Sequence, residues 1–281
     1  MHDTHGNFDL TDRGLLLGDG VFDTAMVVNG NVFQREAHIE RLFHSCEILG
    51  YGIDRASLEQ HYMIDADVPV LASMRVTITG GAGPRGLAAP VQRSPNVIVS
   101  IAPLSKTMCF SKVRVQLSNI RRNETSPVSN LKSVNYLDHI VAATEARNAG
   151  YDDALLFNTQ NEVACALVGN VFVILGHKLF TPPIEAGIIP GVIRGLIIKS
   201  AAHLGLSVEE KSMDADDLRR ADGVFVTNSL RLLASVVSIG NCAISGNAAR
   251  IQKALAQLIV EKIVSECGSC SQLESALLDN A

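Results

Sequence analysis

From residue 136 to residue 228 the sequence alternates short apolar runs with helical stretches, and this alternation limits the possible folds most. Residues 152–158 (DDALLFN), 170–176 (NVFVILG) and 222–228 (DGVFVTN) read as strands. Helices are expected at 136–149, 191–204 and 213–220, with a last one at 247–265. The first third mixes the same two signals. VFDTAMVVNGNVFQ is a pair of β-prone runs around Asn29-Gly30, a strong hairpin signature. In REAHIERLFHSCEILG, Ile39, Leu42, Phe43, Cys46 and Leu49 share one helical face, and Gly50 stops the helix. Strands are expected at 73–81, 95–104 and 111–119. The fold class is therefore α/β, mixed with α+β, in two domains. The polar stretch 120–128, which contains Pro127, is the expected interdomain linker. It separates a small α/β domain at 1–119 from a larger α/β domain at 129–281.

Bulk properties exclude several classes. A net charge of -5 without a lysine or arginine run argues against nucleic acid or an anionic membrane as partner. No 18 apolar residues run together, so no membrane span is expected. MHDTHGNFDL lacks the basic and apolar regions of a signal peptide. Six scattered cysteines suit a reducing cytoplasm better than a disulfide framework. Cys267 and Cys270 form C-x-x-C without a second pair, which reads as coincidence rather than a zinc or redox site.

Other chemistries fail on context. Gly81, Gly83 and Gly86 spell G-x-G-x-x-G after a strand, but Pro84 lies inside the turn and no helix start follows. A dinucleotide's pyrophosphate would have no helix N-terminus to rest on. The eight histidines lack ligand spacing, so no metal is expected. There is no G-x-S-x-G elbow for a serine hydrolase.

Lys132 stands between Leu131 and Val134, just before a helix, as the one lysine of residues 129–158. Most lysines are solvated. Its surroundings here belong to a series of segments: DRGLLLGDGVFDT, HIERLFHSCEILG, LKSVNYLDHIVAATEARNAGYDDALLFN, LFTPPIEAGIIPGVIRG and ADGVFVTNSLRLLASV, in that order. Together, from about Asp12 to Ser238, they resemble the class IV aminotransferase family of fold-type IV pyridoxal-phosphate enzymes. That family includes branched-chain aminotransferases, D-amino acid aminotransferases and 4-amino-4-deoxychorismate lyases. The resemblance implies pyridoxal 5'-phosphate in the cleft between the domains, with Lys132 forming the Schiff base. An amine must be neutral to attack a carbonyl or to take a proton from Cα, and desolvation lowers a lysine pKa. Arg41 matches the family's phosphate-binding arginine. Pro190-Gly191 opens a helix whose Val192 and Ile193 amides are free to hold an anion, and Ser229 matches a further donor. Tyr136 resembles a tyrosine that reaches the cofactor's phenolic oxygen. Arg85 aligns with an arginine that receives a substrate carboxylate.

The pattern also breaks. Counting back from Asn170, the position of the glutamate that pairs with the pyridine nitrogen holds Cys165. Glu162, three residues away on a strand, is expected on the opposite face. Many relatives have threonine in place of Ile193. Met26 and Gly80 stand where relatives often carry arginine, and Leu17 where branched-chain enzymes carry tyrosine. The expected function is Cα-proton transfer on an amino acid joined to the cofactor, as transamination or aminodeoxychorismate cleavage. The alternative is a degenerate, weakly active or non-catalytic cofactor binder. By resemblance the chain is a cytoplasmic homodimer acting on a small amino acid or aminodeoxychorismate-like substrate.

Overall fold

The computed structural model describes residues 8–64 and 67–280. Its contacts divide the chain into two compact units. The first comprises Met1–Leu104, Leu131–Tyr136 and Glu266–Cys270; the second comprises Ser105–Asn130, Leu137–Ser265 and Ser271–Ala281.

The first unit carries α1 (Arg13–Leu17), β1 (Gly20–Val28), β2 (Asn31–Val32), α2 (Arg35–Leu49), α3 (Arg55–Gln60), β3 (Leu71–Thr79) and β4 (Asn96–Pro103). Its antiparallel sheet runs β2-β1-β3-β4. The expected hairpin is present, with Asn29 and Gly30 both at positive φ, as a two-residue turn of this kind needs. α2 ends where expected, at Gly50 in the left-handed region. It buries Ile39, Leu42 and Cys46 against Val21, Ala25 and Val27 of β1.

The second unit holds β5 (Lys112–Arg122), α4 (Leu137–Asn148), β6 (Asp153–Asn158), β7 (Val163–Ala166), β8 (Gly169–Leu175), β9 (Lys178–Thr181), α5 (Val192–Ser200), β10 (Ser207–Glu210), α6 (Ala215–Arg219), β11 (Gly223–Asn228), β12 (Leu232–Ile239), β13 (Cys242–Ala243), α7 (Ala249–Cys267) and α8 (Ser271–Asn280). Strands β8, β11, β12, β5, β6 and β7 pair in that order, and β7 pairs back with β8, closing a ring. Alternation sends Leu155, Phe157, Val171, Val173, Val224 and Val226 into one core. Ala154, Leu156 and Cys165 go to another, which packs Ala142 and Ala146 of α4.

The division of the chain differs from the expected linker at 120–128. Those residues finish β5 and enter the second unit's turn at Pro127–Asn130. β5 pairs in parallel with both β12 and β6, so it belongs inside the second sheet. Residues 201–204, expected as helix, form a 3-10 turn after α5.

Candidate active site

Lys132 lies in a short extended segment of the first unit that runs beside β1. Phe22 N donates to Lys132 O at 2.8 Å, Val134 N donates to Gly20 O at 3.0 Å, and Val21 bridges Ser133. This pairing directs the lysine's amine over aromatic rings. Nζ lies 4.4 Å from the centre of the Phe22 ring and donates to Tyr136 Oη at 3.2 Å. The Phe22 and Tyr136 rings are 5.4 Å apart and tilted. Arg75 of β3 stacks its guanidinium 3.5 Å from the centre of the same Phe22 ring, and its Nε donates to Thr77 Oγ1. Burial, then the charge of Arg41 and that of Arg75, pulls the Lys132 amine down to about 7, against the opposing pull of Asp23.

Asp23, on β1, is the buried anion of this cluster. Its Oδ1 lies 2.5 Å from His38 Nδ1, and its Oδ2 accepts from Arg41 Nε at 2.8 Å and Nη2 at 2.7 Å. His38 and Arg41 stand three residues apart on α2, so one helix face delivers both. Burial by itself would raise the carboxyl, but Arg41, His38 and Lys132 hold it at about 2. The Tyr62 hydroxyl, buried close enough to feel Asp23 and Arg41, has no hydrogen-bond partner among the described residues.

Three members of this cluster, Lys132, Tyr136 and Arg41, are candidates from the sequence. Asp23, His38, Phe22 and Arg75 are not. One signal for Asp23 was present in GVFDTAMVV, since a carboxylate in an apolar strand needs a partner. Arg75 carries no such signal, because an arginine on an alternating strand reads as solvated. Arg85 is exposed in the loop between β3 and β4.

The second unit holds the remaining candidates. Gly191 is the N-cap of α5 and provides no side-chain cap, so the first-turn amides of Val192 and Ile193 have no acceptor within the helix. A Cβ at Gly191 would come within 2.0 Å of Asn170 Oδ1, whose amide donates to Ile189 O. Glycine is thus required for this close approach. Ser229 lies in a turn fixed by Asn228 Oδ1, which accepts from the amides of Leu230 and Arg231 at 2.9 and 2.7 Å.

Cys165 pairs across to Asn170 and Leu156 and is buried in the apolar core under α4. Burial pushes its thiol up to about 11, with Arg122 opposing and Asp153 adding to the rise. Glu162 does not substitute for it. Its carboxylate accepts from Asn158 Nδ2 at 2.9 Å in the turn between β6 and β7. A register shift at Ala164 breaks strict alternation here, so local pairing and not strand parity sets where Glu162 points.

Within the first unit, a lysine of lowered pKa and a nearby arginine are the kinds of group that suit an aldehyde and a phosphate; within the second, the first-turn amides of α5 are donors of the kind an anion takes. Cys165, in the second unit, is a neutral thiol and not an anion. Among the described residues, no group of acidic, histidine and cysteine side chains could hold a metal ion, and no helix is long and apolar enough to cross a membrane.

Residues 20–239 match the family described as amino-transferase class IV. A protein of Methanocaldococcus jannaschii, provisionally named a branched-chain-amino-acid aminotransferase, is 30% identical over 81% of each chain. The aminodeoxychorismate lyase of Bacillus subtilis is 28% identical over 78% of this chain and 77% of its own. A crystal structure from Legionella pneumophila, provisionally named a 4-amino-4-deoxychorismate lyase, superposes with a TM-score of 0.82 at 32% identity, covering 92% of this chain and 96% of that one. A branched-chain aminotransferase of Thermobaculum terrenum, solved in its pyridoxal-phosphate form, shares the fold at 23% identity and a TM-score of 0.83, over 95% of this chain and 92% of its own. The chain is a member of the class IV aminotransferase family, the fold-type IV pyridoxal-phosphate enzymes that include aminotransferases and aminodeoxychorismate lyases.

Proposed function

We propose that this enzyme moves the Cα proton of an amino acid, in transamination or in cleavage of an aminodeoxychorismate-like substrate, with Lys132 as the lysine that carries the cofactor. The observation that supports this most is the Lys132 amine, drawn down to about 7 beside Tyr136, Phe22 and two arginines. Bound there, pyridoxal phosphate supplies an electron sink for the charge left when Cα loses its proton. Lys132, about half of it neutral at pH 7, takes that proton and returns it. Tyr136 holds the amine in place. Asp23 locks Arg41 through two nitrogens, which orients the guanidinium for a phosphate oxygen. In the second unit, Val192, Ile193 and Ser229 are the candidate donors to a phosphate. Arg85 receives a substrate carboxylate, and Arg75, stacked beside Lys132, is a second cation for an acidic group.

Borohydride reduction and peptide mapping test the site. The label should fall on Lys132, and a label on another lysine ends this reading. A screen of amino acids and aminodeoxychorismate, following pyruvate, glutamate or 4-aminobenzoate, tests the reaction.

Cys165 favours a second reading, a weakly active or non-catalytic cofactor binder. A neutral thiol cannot keep a proton on the pyridine nitrogen as a carboxylate does, and Cys165 is neutral at any physiological pH. We also propose a cytoplasmic homodimer. The exposed face of α4, with Leu137, Ile140 and Val141, supports a partner. Six cysteines free of disulfides support a reducing compartment.

A further inference from the structure

Residues 80–95 join β3 to β4 in the first unit without a helix or strand of their own, and they carry Arg85. The anchors of this loop return to one short stretch, residues 11–19. Asp12 is fully buried and caps α1 by accepting from Gly14 N at 2.6 Å. Its Oδ2 accepts from Thr79 Oγ1 at 2.7 Å and from Asn96 Nδ2 at 2.6 Å, so one carboxylate ties both ends of the loop. Arg13 N donates to Gly81 O at 2.8 Å.

The side chain of Arg13, 5% exposed, reaches further along the same loop. Nε donates to Asp19 Oδ2 at 2.7 Å, Nη2 donates to Leu87 O at 3.0 Å, and Nη1 donates to Gly86 O at 3.1 Å and Ala88 O at 3.4 Å. Asp19 is itself held by Tyr51 Oη at 2.9 Å and faced by Arg93 at 3.8 Å. A Cβ at Gly80 would lie 2.7 Å from Asp19 Oδ2, so a side chain there would displace the pair.

A buried guanidinium here gives its donors to three consecutive carbonyls of a loop that water could solvate instead. What the burial secures is the loop's shape. Arg85 directly precedes those carbonyls, and Gly86, at φ +124, lies in a bend of the chain just after it.

We propose that Arg13, held by Asp19, is a positioning residue that fixes the 80–95 loop so that Arg85 meets the substrate carboxylate already oriented. This rests on the reading of Arg85 given above. Orienting a receiving group before binding removes the entropy cost of ordering it afterwards.

Two carbonyl reagents test the idea without knowledge of the natural substrate. Aminooxyacetate and O-methylhydroxylamine both exchange their aminooxy nitrogen for the Lys132 nitrogen on the cofactor carbon, releasing the lysine as a free amine. Only aminooxyacetate bears a carboxylate, so the ratio of their rate constants on the holoenzyme measures carboxylate recognition. Arg85→Ala should lower the ratio about tenfold, as loss of one charge-assisted pair implies. Arg13→Lys keeps the charge beside Asp19 but loses the fork, and should lower the ratio to a similar extent. The double variant should be no worse than Arg85→Ala alone. Trypsin should also cut Arg85–Gly86 faster in Arg13→Lys, while cofactor absorbance is retained.

If Arg85→Ala leaves the ratio unchanged, the reading of Arg85 falls and the clamp's role falls with it. If Arg85→Ala lowers the ratio but Arg13→Lys changes neither ratio nor cleavage, the clamp alone is overturned. Should Arg13→Lys fail to fold, Gly83→Ala places a Cβ 3.3 Å from Arg13 Cδ. It must then produce the same two changes in smaller measure, and their absence overturns the proposal.

Discussion

Replacing Arg75 with leucine should raise the pKa of Lys132. The two cations lie 3.5 and 4.4 Å from the centre of the Phe22 ring, which puts them no more than about 8 Å apart. At an effective dielectric of about 20, that separation gives about 2 kcal/mol of repulsion. Arg75 is half-buried, and solvent screening leaves about half of this, or a shift of about one pKa unit. Lys132 should then titrate about a unit above the wild-type value near 7. The assay is the pH dependence of cofactor capture by apoprotein, followed by visible absorbance, since only the neutral amine attacks the aldehyde. At pH 7 the neutral fraction drops from about half to about a tenth, so capture slows about fivefold. Arg75→Lys, which keeps the charge, should retain the wild-type midpoint. A wild-type midpoint near the ordinary lysine value of 10.5 would refute the reasoning about burial. An unmoved midpoint in Arg75→Leu would refute the pairing of the two cations across Phe22.

Asp23→Asn should destabilise the first unit by about 3 kcal/mol at neutral pH, because His38 and Arg41 lose their buried anion. Asp23 has a depressed pKa, so its stabilising contribution is present above its ordinary value of 3.8 and lost as pH falls through about 2. Denaturant melts between pH 4 and 2 should therefore fall more steeply for wild type than for the variant. Arg41→Ala should weaken cofactor affinity in an equilibrium titration, whereas Arg85→Ala should spare it and raise the apparent KM for carboxylate substrates. Identical behaviour of the two arginine variants would remove the distinction between phosphate and substrate sites. Cys165→Glu should speed the half-reaction with an amino acid by about one to two decades if an anion at the ring nitrogen is what the site lacks. A variant that loads cofactor normally but gains nothing favours the binder reading.

Local signals made much of the fold legible. Asn29-Gly30 specifies its turn, Gly50 ends α2, and most of the expected strands and helices form near their expected places, because propensity and burial pattern agree there. The place where the chain changes unit was not legible. β5 has an alternating pattern that either sheet could accept, and only its pairing with β12 and β6 decides the matter. Glu162 repeats the lesson on a smaller scale, since a register shift at Ala164 replaces the simple count of strand faces.

Lys132 was a candidate from the segment around it, but the groups that surround its amine were not legible there. The sequence determined which residue types were available: a lysine between apolar neighbours, an arginine on α2, a thiol where an anion would be expected. Only the tertiary structure decided that Phe22, Arg75 and the Asp23–Arg41 pair, distant along the chain, surround one amine. A pKa depends on the desolvation and charges within a few ångströms of the group, and those distances are set by the packing of β1, β3 and α2.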